Sequence, residues 1–350
     1  MIIVFAPYPC SKNQKDGMIQ RVHYIDEIMS TSERIYINIS LRRFFRKNVS
    51  IQGLVTNYEL NLFIHYRMIL HLFKLASVIY IHSAYNALSL IFFKTKARVI
   101  FDAHGIVPEE LIQLGHPLKS MIFAYAERLV LRRCDTLVCV TRSMLAHFKN
   151  KYGDSITCEE IVLPILPRIG SEDEYEKVLY STREERSVIY AGGTQIWQNV
   201  DKMIAAAIKQ PNFYYTFLSG DAERFQDLLK SIPITRGFCE SVVPEQVKYY
   251  YLKNQFGFIL RENNLVNEVA CPTKLIEYIY WGVIPIVINP KIGDFNELNL
   301  SAVTLENFES GNIPDKIVCD NMRINNLSTV KEIIQTSKHQ LERLKNLLSI

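Results

Sequence analysis

The chain has 350 residues, 48% of them hydrophobic and 22% charged, with a formal net charge of +4. That length suits two domains better than one, the composition is that of packed globular cores, and so mild a charge gives no sign of a nucleic-acid partner. Seven cysteines, odd in number and without a Cys-x-x-Cys pair, argue against a disulfide scaffold or a structural zinc site and for reduced thiols in a cytoplasmic setting.

The first segment, Met1-Ile-Ile-Val-Phe-Ala-Pro7, has no basic leader region and reads as a strand over residues 2–6 rather than as a signal peptide. A polar loop follows, Ser11-Lys-Asn-Gln-Lys-Asp-Gly-Met-Ile-Gln-Arg21, in which Gly17 lets the backbone approach a ligand or simply makes a turn. It is not a G-x-G-x-x-G fingerprint, so a conventional dinucleotide site is not expected. Further short apolar runs predict strands at 35–39, 78–82, 99–102, 136–141 and 160–163. Helical patterns separate the later ones, at 120–133 and 144–151. Leu41-Arg-Arg-Phe-Phe-Arg-Lys47 and the helical stretch 62–75 mix basic and large apolar residues. Such a surface either lies on an anionic membrane or is a charged face beside a buried one. The most apolar stretch, 60–81, is interrupted by His65, Arg67, His71 and Lys74, so no membrane-spanning helix is expected.

The turn-rich, charge-dense stretch 164–186 reads as a linker. A second series of strands is predicted beyond it at 187–191, 214–219, 234–238, 256–260 and 284–288, with helices at 201–209 and 245–253. Runs of four to six apolar residues without alternation suit strands buried on both faces, hence parallel sheets. Two such series imply two doubly wound α/β domains, 1–168 and 186–329, with an amphipathic helix over 330–350 that packs back across the junction.

In open α/β sheets ligands bind beyond the carboxyl ends of the strands, so residues just past each strand are the candidates. The run Phe101-Asp-Ala-His-Gly-Ile-Val-Pro-Glu-Glu110 places Asp102, His104 and Glu109 there, either as sugar-hydroxyl partners or as a turn and capping cluster. His82 ends the preceding strand. Gly192-Gly193 follow strand 187–191 and suit a phosphate-facing loop, while Trp197 reads as a core or domain-contact residue. Arg261 ends strand 256–260, and its planar fork suits a diphosphate. Cys271-Pro-Thr-Lys-Leu-Ile-Glu-Tyr278 predicts a helix starting near Pro272 and stopped by Gly282. The start of that helix, Pro272, Thr273, Lys274 and Leu275, offers free N–H groups, a positive dipole end and one ammonium to a phosphate. One turn on, Glu277 is placed to grip a ribose diol. A phosphate grip and a hydroxyl grip one turn apart suggest a nucleotide-sugar site. No D-x-D-like metal motif stands out, and no cofactor is implied.

Three pieces in order resemble the GT-B glycosyltransferases of the retaining family 4 type. They are Tyr190-Ala-Gly-Gly-Thr-Gln-Ile-Trp-Gln-Asn199, Val243-Pro-Glu-Gln-Val247 with the following strand to Arg261, and Pro272-Thr-Lys-Leu-Ile-Glu-Tyr278 with Gly282 and Pro285. The resemblance extends from the first strand to about Pro290, and the C-terminal half carries most of it. It implies two Rossmann-like doubly wound domains facing a central cleft, with a nucleotide-sugar donor on the C-terminal domain and the acceptor on the N-terminal one. In that pattern Glu277 holds the donor ribose, His104 lies near the transferred sugar, and Gly17, Gly192 and Gly193 are the glycine-loop positions. One departure is that Val269 stands eight residues before Glu277, where the family often has a first glutamate. The usual Arg and Lys pair after the glycine loop is also missing, so Arg261 and Lys274 are expected to hold the diphosphate.

The expected activity is metal-independent transfer of a hexosyl group from a UDP- or GDP-sugar to a saccharide hydroxyl on a lipid-linked glycan, at the inner membrane face, in surface polysaccharide synthesis. The catalytic set is His104, Glu277, Lys274 and Arg261. The other readings are a sugar-nucleotide epimerase of the same fold, with Asp102, Glu109 and Glu110 as its carboxylates, and a non-catalytic sugar-nucleotide-binding subunit.

Overall fold

The computed structural model describes the chain apart from residues 11–16, 154–155, 167–176, 222, 224, 228–235 and 350, and gives the backbone alone at 17 and 89. The chain divides into two compact units, Met1–Ile165 with Ser337–Ile350, and Leu166–Thr336. Each is built on its own largely parallel sheet, the two-domain α/β fold expected.

In the first unit, strands β1 (Ile2–Phe5), β2 (Arg34–Ser40), β3 (Asn48–Gln52), β4 (Val55–Asn61), β5 (Val78–His82), β6 (Arg98–Ala103), β7 (Thr136–Cys139) and β8 (Glu159–Val162) form one sheet in the order β3-β4-β2-β1-β5-β6-β7-β8. All neighbours are parallel except β3 and β4. Strand order reverses between β1 and β5. Helices α1 (Gly17–Ile28), α2 (Tyr66–Leu75), α3 (Ser83–Ala87), α4 (Val107–Gln113), α5 (Pro117–Leu131) and α6 (Arg142–Tyr152) connect the strands. Val4, Tyr80, Ile100 and Val138 are wholly buried in the core beneath α1, which adds Val22 and Ile25.

The β3–β4 hairpin was not predicted. Its residues mix Asn, Ser and Gln with Val49 and Ile51, and all of β3 is exposed, so no buried run marks it. Gly53, with φ +57°, and Leu54 make a two-residue turn between the paired Gln52 and Val55.

In the second unit, β9 (Glu184–Ala191), β10 (Tyr214–Leu218), β11 (Gly237–Glu240), β12 (Asn254–Ile259), β13 (Ile284–Val287) and β14 (Val303–Thr304) are all parallel, in the order β11-β10-β9-β12-β13-β14. Here the order reverses between β9 and β12. Helices α7 (Val200–Lys209), α8 (Pro244–Tyr251), α9 (Leu265–Val269), α10 (Thr273–Tyr280) and α11 (Leu305–Glu309) accompany them. Residues 234–235 of the predicted strand 234–238 lie outside the described residues; β11 begins at Gly237.

The C-terminal helix, α12, spans Lys316–Leu348 and so begins 14 residues before the predicted position 330. Its early part, rich in Asn, Ser and Thr, has weak helix propensity and reads as loop. It is held by tertiary bonds: Asn326 accepts from the Ser301 N–H and donates to the Ser301 carbonyl, at 2.8 Å each. Leu327, Val330 and Ile333 join the core of the second unit. Leu344 and Leu348 join that of the first.

Candidate active site

Two clusters lie past the strand ends, one in each unit, and each adjoins the place where strand order reverses. In the second unit β9 runs into Gly192-Gly193 and its neighbour β12 runs into Arg261. The loop after β9 is tied to the end of β12 by Asn199, whose Nδ2 donates to the Leu260 carbonyl at 2.8 Å. Asn199 sits at φ +54°, a left-handed conformation that Asn tolerates better than most residues.

Helix α10 begins after Pro272, the N-cap, and carries Thr273 and Lys274 in its first turn. Its inward side buries Leu275, Ile276, Tyr278 and Ile279, so the Leu275 side chain is core, and its N–H bonds the Pro272 carbonyl at 3.0 Å. Gly282, at φ +68°, stops the helix as expected.

Lys274 reaches back across Gly192. Its Nζ lies 4.1 Å from the centre of the Tyr190 ring, and a Cβ at Gly192 would collide with that ammonium and with the Tyr190 hydroxyl. The absent side chain of Gly192 is therefore the space that Lys274 occupies. The Tyr190 hydroxyl in turn donates to the Gly193 carbonyl at 2.6 Å and fixes the loop. Burial, reinforced by the Arg261 guanidinium, pushes Lys274 down to about 7, against a weaker opposing pull from Glu277. Arg261 is lowered as well, by burial. Among the described residues neither cation has a carboxylate ion pair. Glu262, a candidate partner for Arg261, pairs with Lys202 at 2.6 Å. Two neighbouring cations without such a pair, beside a glycine and a helix N-terminus, form a receptor for an anion of more than one charge.

Glu277 lies one turn further. Burial raises its pKa, against the Tyr251 hydroxyl, which donates to Oε2 at 3.1 Å, and the charge of Lys274. Its second oxygen is left for another donor. Val269, eight residues before Glu277, is buried apolar packing. Of the two expectations for Trp197, the core position is not met: it is half exposed on a 3-10 turn, Ile196–Gln198, because that turn leaves the sheet before α7 begins.

The first unit's cluster is built on Asp102, at the end of β6. Asp102 is wholly buried and accepts from Arg21 Nε at 3.0 Å and from the Tyr80 hydroxyl at 2.9 Å on Oδ2, and from Arg21 Nη2 at 3.1 Å on Oδ1. Arg21 also donates to the Leu163 carbonyl at 2.8 Å. Burial alone would raise the Asp102 pKa, but Arg21 and His104 outweigh it and hold the carboxyl well below its usual range. His82 Nδ1 faces His104 Nε2 at 2.9 Å. Both nitrogens lie beside Asp102 Oδ2, at 3.5 and 3.6 Å. His82 is fully buried and, through burial and the neighbouring His104, titrates well below its ordinary value. His104 keeps about a tenth of its side chain exposed, whereas His82 and Asp102 are wholly buried. His104 Nδ1, like His82 Nε2, is buried without a hydrogen-bond partner.

His82, Asp102 and His104 offer three ligand atoms within 4.8 Å of one another, close enough for a metal ion. The donor chemistry speaks against one. Oδ2 already accepts from Arg21 and Tyr80, and a dication there would bury uncompensated charge beside a guanidinium. The arrangement instead holds one proton between two imidazoles over a fixed carboxylate.

Glu109, weighed as a sugar ligand, is engaged by neighbours. His147 lies at 3.3 Å and Lys151 at 2.7 Å. Burial would raise its pKa, but these partners hold it at about 2. Glu110 lies against Gly105, where a Cβ would collide with its carboxylate. Burial, with Glu127 and Glu109 near, raises it to about 7. Gly17 opens α1, next to the undescribed residues 11–16. Sequence reasoning missed Arg21 and Tyr190. An Asp inside a buried strand calls for a buried cation, which signals that a partner exists without saying that it is Arg21. Tyr190 is a polar-tipped ring in an otherwise aliphatic strand end.

Residues 32–161 match the family model Glycosyltransferase Family 4. The match covers less than half of the chain and falls in the first unit, whereas the resemblance read from sequence rests mainly on the C-terminal half. No curated protein matches in sequence. Solved structures match over almost the whole chain. Sucrose-phosphate synthase from Thermosynechococcus elongatus is 11% identical, with a TM-score of 0.69 over 99% of both chains. HepE of Anabaena, in complex with UDP-glucose, is 11% identical, with a TM-score of 0.67 over 99% of both. An α,α-trehalose-phosphate synthase (UDP-forming) from Burkholderia vietnamiensis is 10% identical, with a TM-score of 0.64 over 100% of this chain and 98% of that one. The fold is that of the GT-B glycosyltransferases.

Proposed function

We propose that the protein is a glycosyltransferase that moves a hexosyl group from a UDP- or GDP-sugar to a saccharide hydroxyl, with retention at the anomeric carbon. The observation that carries this reading is the joint placement of Lys274, Arg261, Gly192 and the start of α10. The match of the first unit to a glycosyltransferase family model and the UDP-glucose held by a protein of the same fold support it.

In this reading Lys274, Arg261 and the backbone N–H groups of Thr273 and Lys274 take the donor diphosphate. When the bond from the sugar to the diphosphate breaks, negative charge grows on the leaving oxygen, and fixed cations there stabilise it without reorganisation. Glu277 takes the ribose hydroxyls through its remaining oxygen. His104 contacts the transferring sugar, its ring set by His82 and Asp102. The leaving charge is met by side chains and helix dipole, with no metal assigned a step. The acceptor is a lipid-linked saccharide made for a surface polysaccharide. Val269 favours one second reading, a subunit that binds sugar nucleotide without transferring it.

A thermal-shift panel of UDP-, GDP-, ADP- and CMP-sugars tests the donor, since a ligand that binds only the folded state raises its stability. Incubation of the stabilising donor with saccharide acceptors then separates transfer from binding alone. Turnover of donor to an isomer without acceptor indicates an epimerase instead. No shift with any sugar nucleotide refutes the donor site.

A further inference from the structure

Helix α5 packs in the first unit against α4 and α3, yet it carries an apolar stripe with no partner. Leu118, Met121, Ile122 and Tyr125 recur at helical spacing and are 76, 71, 53 and 60% exposed. Soluble proteins seldom leave so continuous a stripe bare without a binding role. The stripe adjoins further bare apolar residues. The 3-10 turn Leu88–Ile91 packs on α5 and leads to exposed Phe92 and buried Phe93. Phe93 stacks on Tyr66 at 5.1 Å, at the start of α2. The loop before α2 exposes Phe63 and Ile64. Asn61 binds it to the segment after β2, accepting from the Phe63 N–H at 3.1 Å and donating to the Arg43 carbonyl at 2.9 Å. That segment exposes Phe45 among Arg42, Arg43, Arg46 and Lys47.

The charge along this path has one sign. Residues 41–47, 62–75 and 88–98 contain no carboxylate at all, and their exposed cations include Arg67, Lys74, Lys94 and Lys96. On α5, Lys119 and Arg128 are exposed, while its one carboxylate, Glu127, is buried against Lys151 at 3.0 Å. A twofold contact would set this face against itself, cation on cation, so a second copy is a poor occupant. Among the described residues no helix is long and apolar enough to cross a membrane.

We propose that this face of the first unit, centred on α5, docks in the plane of an anionic lipid bilayer, with the stripe in the headgroup layer and the surrounding Lys and Arg on lipid phosphates. The segment 41–47 noted in the sequence is its margin, and α5 is its centre. Docking is read without sugar nucleotide or acceptor, so its failure leaves the transfer reading standing.

The experiment is vesicle co-sedimentation of the full chain with phosphatidylcholine alone and with phosphatidylcholine mixed with phosphatidylglycerol, at low and high salt. Binding is expected only to the anionic vesicles and is weakened by salt. Leu118→Ser with Met121→Ser should remove most of it. Lys119→Glu with Arg128→Glu should lower the partition coefficient at least about 25-fold, near fivefold for each cation lost. These side chains are exposed, so melting temperatures should not move. Recovery in the supernatant under all conditions, or binding unchanged by both double variants, overturns the proposal. So does sedimentation velocity that finds a dimer which Leu118→Ser with Met121→Ser dissociates.

Discussion

Lys274 gives the sharpest test because its charge is set by the same neighbours that would bind the donor. In the free protein it titrates at about 7 instead of 10.5, through burial and then Arg261. A sugar nucleotide carries a diphosphate diester that stays fully ionised across neutral and alkaline pH, so it favours the ammonium form. Above pH 7 binding must therefore draw a proton onto Lys274. At pH 8 about nine in ten free molecules hold a neutral amine. Apparent donor affinity should fall toward tenfold per pH unit from there, about 1.4 kcal/mol each, until the higher pKa of the complex is reached. Lys274→Met should lose about 1.5–3 kcal/mol of donor binding at pH 6, the worth of a charge-assisted hydrogen bond, and show a flat profile above pH 7. Calorimetry in two buffers of different ionisation enthalpy measures the proton uptake directly. The stability sign is opposite. The folded pKa lies below the unfolded one, so the unfolded chain binds the extra proton between about 7 and 10.5, and stability rises with pH across that window. Below pH 7 the buried ammonium costs at most about 5 kcal/mol, so the Met variant should melt no lower than the native chain at pH 6. Identical pH profiles for the two proteins, or no proton uptake by the native one, would refute the placement of a diphosphate on Lys274.

Three further outcomes follow from the geometry. Gly192→Ala puts a methyl where the Lys274 ammonium lies, and should weaken donor binding by about 1–3 kcal/mol; calorimetric affinity equal to wild type would show that Lys274 has another position open to it. His104→Ala should keep donor affinity and lower transfer about 10²-fold, as for a positioned polar group at the reacting centre, and single-turnover assays separate the two. Asp102→Asn leaves Arg21 buried beside a neutral amide, and should cost about 3–5 kcal/mol in urea unfolding; a loss under 1 kcal/mol would mean that Arg21 finds another anion.

The sequence announced most of the parallel strands because strands buried on both faces need uninterrupted apolar runs; β4, parallel to β2 but only partly buried along its middle, and the two-residue β14 gave no such run. Residues 78–82 were placed to the residue, and most others within one or two. It did not announce β3, whose five residues are all exposed and whose stability comes from pairing with β4. Nor did it show the first half of α12, where Asn326 side-chain bonds replace apolar periodicity. Among candidate residues, the positions at helix starts and strand ends were legible, since these follow from the element boundaries alone: Lys274, Arg261, Gly192 and His104. The residues that tune them were not. Arg21 lies 81 positions from Asp102, and Tyr190 acts only because the fold sets its ring against Lys274.

The two clusters share one cause. A doubly wound sheet sends its connections to opposite faces on either side of the point where strand order reverses, so the loops after those two strands part and leave a crevice at their carboxyl ends. In the second unit those loops carry Gly192-Gly193 and Arg261, and the α10 start supplies the ammonium. In the first unit one of the two strands is β5, ending in His82, and the next, β6, brings Asp102 and His104. The crevice of the second unit is lined by cations that, among the described residues, have no carboxylate ion pair, and that of the first unit by imidazoles over a carboxylate neutralised by Arg21. In the proposed function that difference separates the two roles. Net positive charge suits the diphosphate of a donor, while a paired, internally balanced cluster with one partly exposed imidazole suits an uncharged sugar.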